Sequence, residues 1–180
     1  SGVWYPGNGD GSFQAMQAVG TGRFEAISVV DMDGDGDTDL LGIDYTDGVA
    51  WWDNDGNGNF TMRVIASSGE SPVAADLDLD GDLDVITVDS TLDTLLWHRR
   101  TGDTWAHEAY LKAPNAAEFQ RFGMAVAIDG DTIVVGTPAE DSTTADIING
   151  DDLSSTNVSG WSNGAAYVFV RNGSTWSHQA

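Results

Sequence analysis

The chain has 180 residues, with 7 Lys plus Arg against 29 Asp plus Glu and a formal charge of −22. Such acidity excludes the phosphate backbone of nucleic acid and anionic membrane surfaces as partners. No apolar run could span a bilayer, Cys is absent, and the 41% hydrophobic content is that of a chain with a core, not of a disordered acidic tail.

Asp outnumbers Glu and Gly is abundant, which predicts short strands joined by Asp/Gly turns. Residues 1–22 read as the last two strands of a four-stranded unit, because Gly2-Val-Trp4 and Asp10-Gly-Ser-Phe13 return later as Gly48-Val-Ala-Trp51 and Asn57-Gly-Asn-Phe60. The next unit, 23–67, predicts strands at 24–30, 39–44, 49–52 and 59–66. The third, 68–113, predicts strands at 71–75, 84–88, 95–99 and 104–111. The fourth, 114–180, predicts strands at 123–128, 132–136, 165–170 and 175–180, with an insertion at 139–163. Asn57-Gly58, Asp129-Gly130 and Asn172-Gly173 signal hairpin turns. No amphipathic helix stands out, and only 113–121 could form a turn of one.

The units repeat closely. The run from Val29 to Leu41 returns from Ala74 to Ile86 at an offset of 45, and Ala50-Trp-Trp52 becomes Leu95-Leu-Trp97 at the same offset. Arg100-Thr-Gly-Asp-Thr-Trp105 matches Arg171-Asn-Gly-Ser-Thr-Trp176. Four strands per ~45 residues is the period of propeller blades. A β-sandwich or β-solenoid is the competing architecture, but a sandwich would not repeat one Asp motif once per four strands. The expected fold is all-β: an array of about 3.5 four-stranded antiparallel blades, part of a larger propeller or of an assembly formed through open blade edges.

The repeated motif has the chemistry of a cation loop. Asp31, Asp33, Asp35 and Asp39 fall at positions 1, 3, 5 and 9, with Gly36 at 6 and Asp37 at 7. Asp76, Asp78, Asp80 and Asp84 repeat this, with Gly81 and Asp82. An EF-hand loop opens the same way, with side-chain oxygens at 1, 3 and 5, a turn Gly at 6 and a backbone carbonyl at 7. Its Glu at position 12 is missing, since Gly42 and Thr87 stand there, so the loop closes through position 9 and runs into a strand. Hard oxygen donors without His or Cys favour Ca²⁺, with Mg²⁺ second, and predict two calcium sites. A solvated acidic turn is the alternative for one such loop. Two copies in matching register favour the metal. Asp53, Asp55 and Asn57 have similar spacing but end in Thr61, as a hairpin turn would. Asp129-Gly-Asp131 is too short to wrap an ion, and Asp141, Asp146, Asp151 and Asp152 are irregularly spaced.

These residues resemble two related repeat families. The first half is similar to VCBS repeats, through Asp-x-Asp-x-Asp-Gly-Asp-x-Asp and the turn from Asn54 to Phe60. The second half resembles a bacterial FG-GAP repeat. Phe122-Gly123 opens the unit, Asp129-Gly-Asp131 makes the first hairpin, Gly136-Thr-Pro138 stands where the family has Gly-Ala-Pro, and Gly164–Phe169 supplies the third strand. Integrin α-subunit heads share this blade type. The resemblance implies a propeller and the same calcium assignment. It leaves function open, since such propellers occur in adhesins, lectins, lyases and large surface proteins.

No nucleophile motif and no phosphate loop is present. His107 and His178 occupy equivalent positions, two residues after Trp105 and Trp176, as structural strand residues would. Trp4, Trp51, Trp97, Trp105 and Trp176 recur at repeat positions and are expected mostly between blades. Trp161, in the insertion, is the candidate exposed partner contact. Asn59, Asn157 and Asn172 head glycosylation sequons. The expected protein is an extracellular or cell-surface structural or adhesive module, not an enzyme, with a protein or glycan surface partner and possible self-association. A glycan-binding propeller is the alternative, and the propeller portion of a polysaccharide-degrading enzyme a third reading.

Overall fold

The computed structural model describes residues 2–20, 23–113, 121–140, 164–173 and 175–179. Among them are fourteen strands and no helix. They form three four-stranded sheets and one two-stranded sheet, all antiparallel meanders as expected for propeller-like blades. The chain divides into two compact units, Ser1–Ala74 and Ala75–Ala180.

In the first unit, β1 (Gly2–Trp4) pairs with β2 (Gln17–Gly20). A complete sheet follows, in the order β3 (Phe24–Val30), β4 (Asp39–Asp44), β5 (Gly48–Asn54) and β6 (Phe60–Ala66). The two inner strands read as nearly continuous apolar runs and are buried on both faces, while β3 and β6 are largely exposed. Val19, Ala50 and Trp52 make the core here, with Trp4, Phe24, Leu40 and Phe60 packed against it. Phe24 meets Trp52 edge-on with ring centroids 4.7 Å apart.

The second sheet runs β7 (Glu70–Ala75), β8 (Asp84–Asp89), β9 (Thr94–Thr101) and β10 (Thr104–Lys112), and the division between units falls within β7. The third runs β11 (Ala125–Asp129), β12 (Thr132–Thr137), β13 (Ala165–Asn172) and β14 (Thr175–His178). Within the second unit these two sheets share one core, which includes Ile86, Leu95 and Trp97 from one and Ile133, Tyr167 and Phe169 from the other. Trp97 meets Trp176 edge-on at 6.4 Å, so these two repeat-position tryptophans do sit between sheets.

The predicted strands lie in the right places, and the third strands run longer than expected. β9 reaches Thr101 and β13 reaches Asn172, because the hairpins beyond them are tight enough for pairing to continue to the turn. The Phe122-Gly123 pair acquires a physical reason. Phe122 is 1% exposed in the shared core, and Gly123 turns the chain at φ +88 where a Cβ would lie 2.5 Å from Val88. The stretch expected to form a helical turn, 113–121, lies mostly outside the described residues. So does the insertion, with Trp161, Asp141, Asp146, Asp151 and Asp152. Its base is described: the Gly164 N–H donates to the Glu140 carbonyl at 3.1 Å, closing the end of the β12–β13 hairpin.

Candidate metal centres

Both Asp-rich loops join the first strand of a sheet to the second, β3 to β4 and β7 to β8. Their wiring is the same except at position 4, where the Gly34 N–H donates to Asp31 Oδ1 at 2.9 Å while the matching Asp76 Oδ1 has no partner. Position 1 accepts from the backbone N–H of position 6: Asp31 from Gly36 at 3.1 Å, Asp76 from Gly81 at 3.2 Å. Position 3 accepts from position 5, and position 5 from position 7, at 2.8–3.3 Å in both loops. The bonds from positions 3 and 5 are short Asx turns, which is why Asp recurs at every second position. Position 6 is Gly in both, at φ +93 and +97. Position 2 is apolar and buried, Met32 at 1% and Leu77 at 0% exposure, and pins the loop to the core.

Position 9 works differently from positions 1, 3 and 5. Asp39 and Asp84 are both fully buried. Asp39 accepts from Met32 N at 2.9 Å with one oxygen and from Asn54 N at 2.8 Å with the other. Asp84 does the same with Leu77 N at 3.2 Å and Arg100 N at 2.8 Å. Each carboxylate thus ties the start of its loop to the end of the third strand of the same sheet. Burial pushes Asp84 up to about 6, and Asp39 upward as well.

Position 7 turns away from the other acids. Asp82 accepts from Gly102 N at 2.9 Å, in the β9–β10 hairpin. Asp37 lies beside Gly56 in the β5–β6 hairpin, where a Cβ would meet its Oδ2 at 2.3 Å. The oxygens that converge within 4.8 Å are those of Asp31, Asp33 and Asp39 in the first loop, and of Asp76, Asp78 and Asp80 in the second. Asp35 and Asp84 fall outside those two groups.

The donor set fits a hard cation. Every converging group is a carboxylate oxygen, and the buried Oδ1 of Asp76 has no hydrogen-bond partner. An orphaned buried acceptor of this kind is costly unless a positive group completes it.

Position 4 separates the loops. It is Gly34 at φ +77 in the first and Leu79 at φ +63 in the second, with Leu79 69% exposed. A bulky residue in the left-handed region carries strain of ~1–2 kcal/mol. Leu79→Gly is therefore expected to raise stability by about 1 kcal/mol in urea unfolding, after the entropy of the added Gly is set against the relieved strain. A lower midpoint would refute this.

The remaining candidates resolve as structural. Asp55 accepts from Asn57 N at 2.9 Å and Asn59 N at 3.1 Å, as a hairpin turn does. Trp51 and Trp97 are 3% and 4% exposed and offer no face to a sugar. His98 is buried against the Thr87 hydroxyl at 2.9 Å, and burial pushes it down to about 4. His107 stacks on Tyr110, and His178 packs against Tyr167 and Phe169.

Comparison with family models gives two matches. Residues 31–87, from the first loop through the second, match the FG-GAP-like repeat model. Residues 105–169 match the FG-GAP repeat model. Neither a curated protein nor a solved structure matched the chain.

Proposed function

The chain is an FG-GAP repeat protein built of propeller-like blades, a module for protein interaction, and from that premise we propose that it is a calcium-stabilised structural or adhesive module working outside the cell. The observation that carries the calcium reading is the repeated convergence of carboxylate oxygens, with the orphaned Asp76 Oδ1 among them. Asp31, Asp33 and Asp39 would hold one ion, and Asp76, Asp78 and Asp80 the other. Bound Ca²⁺ would supply the charge that offsets the repulsion among these acids. Everything else is done by the chain: position 2 anchors, the Gly at position 6 turns, and the position-9 carboxylate ties the loop to the sheet. The module is proposed to be non-catalytic, its histidines being engaged in packing.

Extracellular modules of this ligand type bind calcium with Kd values on the order of 10⁻⁴ to 10⁻³ M. Millimolar external calcium would fill such sites and cytosolic calcium would not. Ligand linkage then predicts a thermal midpoint higher in 10 mM CaCl₂ than in chelator, by roughly 1.4 kcal/mol per site where calcium is ten times Kd. Asp33→Ala and Asp78→Ala should each remove only its own site's share of the rise. An unchanged midpoint in the parent protein would overturn the calcium reading. The partner is proposed to be another protein or a surface. A glycan-binding role would have to rest on Trp161 and the insertion, and loss of glycan-array binding in Trp161→Ala is its test.

A further inference from the structure

The two loops match each other, but their neighbours do not. Asp39 accepts from Asn54 N and Asp84 from Arg100 N, so Asn54 and Arg100 are structural equivalents. The residues before them, Asp53 and Arg99, therefore stand at the same place beside their loops. The strand register agrees, since Leu40 pairs with Trp52 and Val85 with His98. Beside the first loop that place holds a carboxylate, which Arg63 of β6 engages at 2.7 Å. Beside the second it holds a guanidinium. Arg99 Nε donates to Asp78 Oδ2 in a short contact, and its Nη2 lies 3.5 Å from Asp80 Oδ2. Asp78 and Asp80 are two of the three acids that converge there.

We infer that Arg99 is a tethered counter-cation of the second loop, which competes with calcium there and makes this the weaker of two unequal sites. The inference rests on the calcium reading above. A cation entering among Asp76, Asp78 and Asp80 must share or displace the guanidinium. At the first loop the guanidinium is absent from that place, and Asp53 stands there with Arg63 as its own partner. Displacement has somewhere to go, because a cleft of about 470 Å³ lined by Arg99, Glu108, Asp131 and Arg171 borders the loop. Without calcium, Arg99 already offsets part of the charge of the second loop, so that loop depends less on the ion for its folded form.

The test is calorimetric titration of the chelator-treated full chain with CaCl₂. Two classes of site are expected, separated by about tenfold in Kd or more. Asp33→Asn should abolish the tight class and Asp78→Asn the weak one. Arg99→Gln should tighten the weak class roughly fivefold, the weight of a partly exposed ion pair. Arg99→Lys should keep most of the separation. The transplant Asp53→Arg, read independently, should loosen the tight class by a similar factor. Two equal sites in the parent protein, or an unmoved weak class in Arg99→Gln with unmoved tight class in Asp53→Arg, would overturn the inference while leaving calcium binding intact. No calcium uptake by the parent or by Arg99→Gln would overturn the calcium reading itself, and this inference with it.

Discussion

Asp84→Ala is expected to lower stability by about 3 kcal/mol in chelator, with no calcium involved. The carboxylate is fully buried and accepts from two backbone N–H groups, Leu77 and Arg100. Truncation leaves both donors inside the protein without an acceptor, at ~1–3 kcal/mol each. Against this stands the relief of the buried acid's own desolvation, seen in its rise to about 6, which keeps the net effect below the sum. Asn is not a rescue. Both oxygens of Asp84 are acceptors, so the amide nitrogen of Asn would face one of the two N–H donors. Asp39→Ala should behave alike in the first unit, through Met32 and Asn54. The contrast is Asp80, which is partly exposed beside Arg99. Asp80→Ala should leave stability in chelator nearly unchanged and reduce only the gain on adding calcium. Urea unfolding with and without calcium separates the two behaviours. Equal losses in chelator for Asp84→Ala and Asp80→Ala would refute the division of labour between positions 9 and 5.

The second large effect is expected at Gly48, the first residue of β5 after the turn from β4. Its φ is +94, and an added Cβ would lie 2.3 Å from the Ala66 carbonyl oxygen and 2.6 Å from the Ser67 carbonyl carbon. Both obstacles are backbone, so no side chain can step aside. Gly48→Ala should cost about 3 kcal/mol or more, left-handed strain and overpacking together. Gly34→Ala isolates the first of these, since Gly34 has φ +77 and open space around it. It should lose only about 1 kcal/mol. Comparable losses at the two positions would show that conformation alone, and not the close approach of the strands, demands Gly48. By strand pairing Gly48 corresponds to Thr94, since Asp44 pairs with Gly48 and Asp89 with Thr94, and the longer turn of the next sheet places its left-handed residue one position earlier, at Asp93 with φ +50. Asp tolerates this region better than most side chains, which lets that turn close without Gly.

Much of the candidate site was legible because its signals are local. Alternating Asp residues read as cation-loop spacing, and the bonds that Asp31, Asp33 and Asp35 accept come from residues two to five positions ahead. Strands β3 and β8 announced themselves through β-branched and aromatic runs ending at Asp. The different work of Asp39 and Asp84 was not legible. Both look like equal ligands at position 9, yet only Asp39 converges with the acids of its loop, and the burial of both depends on donors 15 and 16 residues away on the third strand. The outward turn of Asp37 and Asp82 was equally hidden, because its cause is a hairpin some twenty residues downstream.

Arg99 shows the same boundary most sharply. Read at the repeat offset of 45, Asn54 aligns with Arg99, and the charge reversal beside the loops disappears. Pairing shifts the third strand by one residue between the sheets, and Asp53 becomes the true counterpart. The sequence by itself determined the all-β class, the repeated blades and the two acidic loops, because these follow from periodicity and from turns closed within a few residues. Only the tertiary structure decided which carboxylates converge, which one ties the loop to the sheet and which loop carries its own counter-cation. Those follow from strand register, and a register shift of one residue changes every neighbour across the sheet.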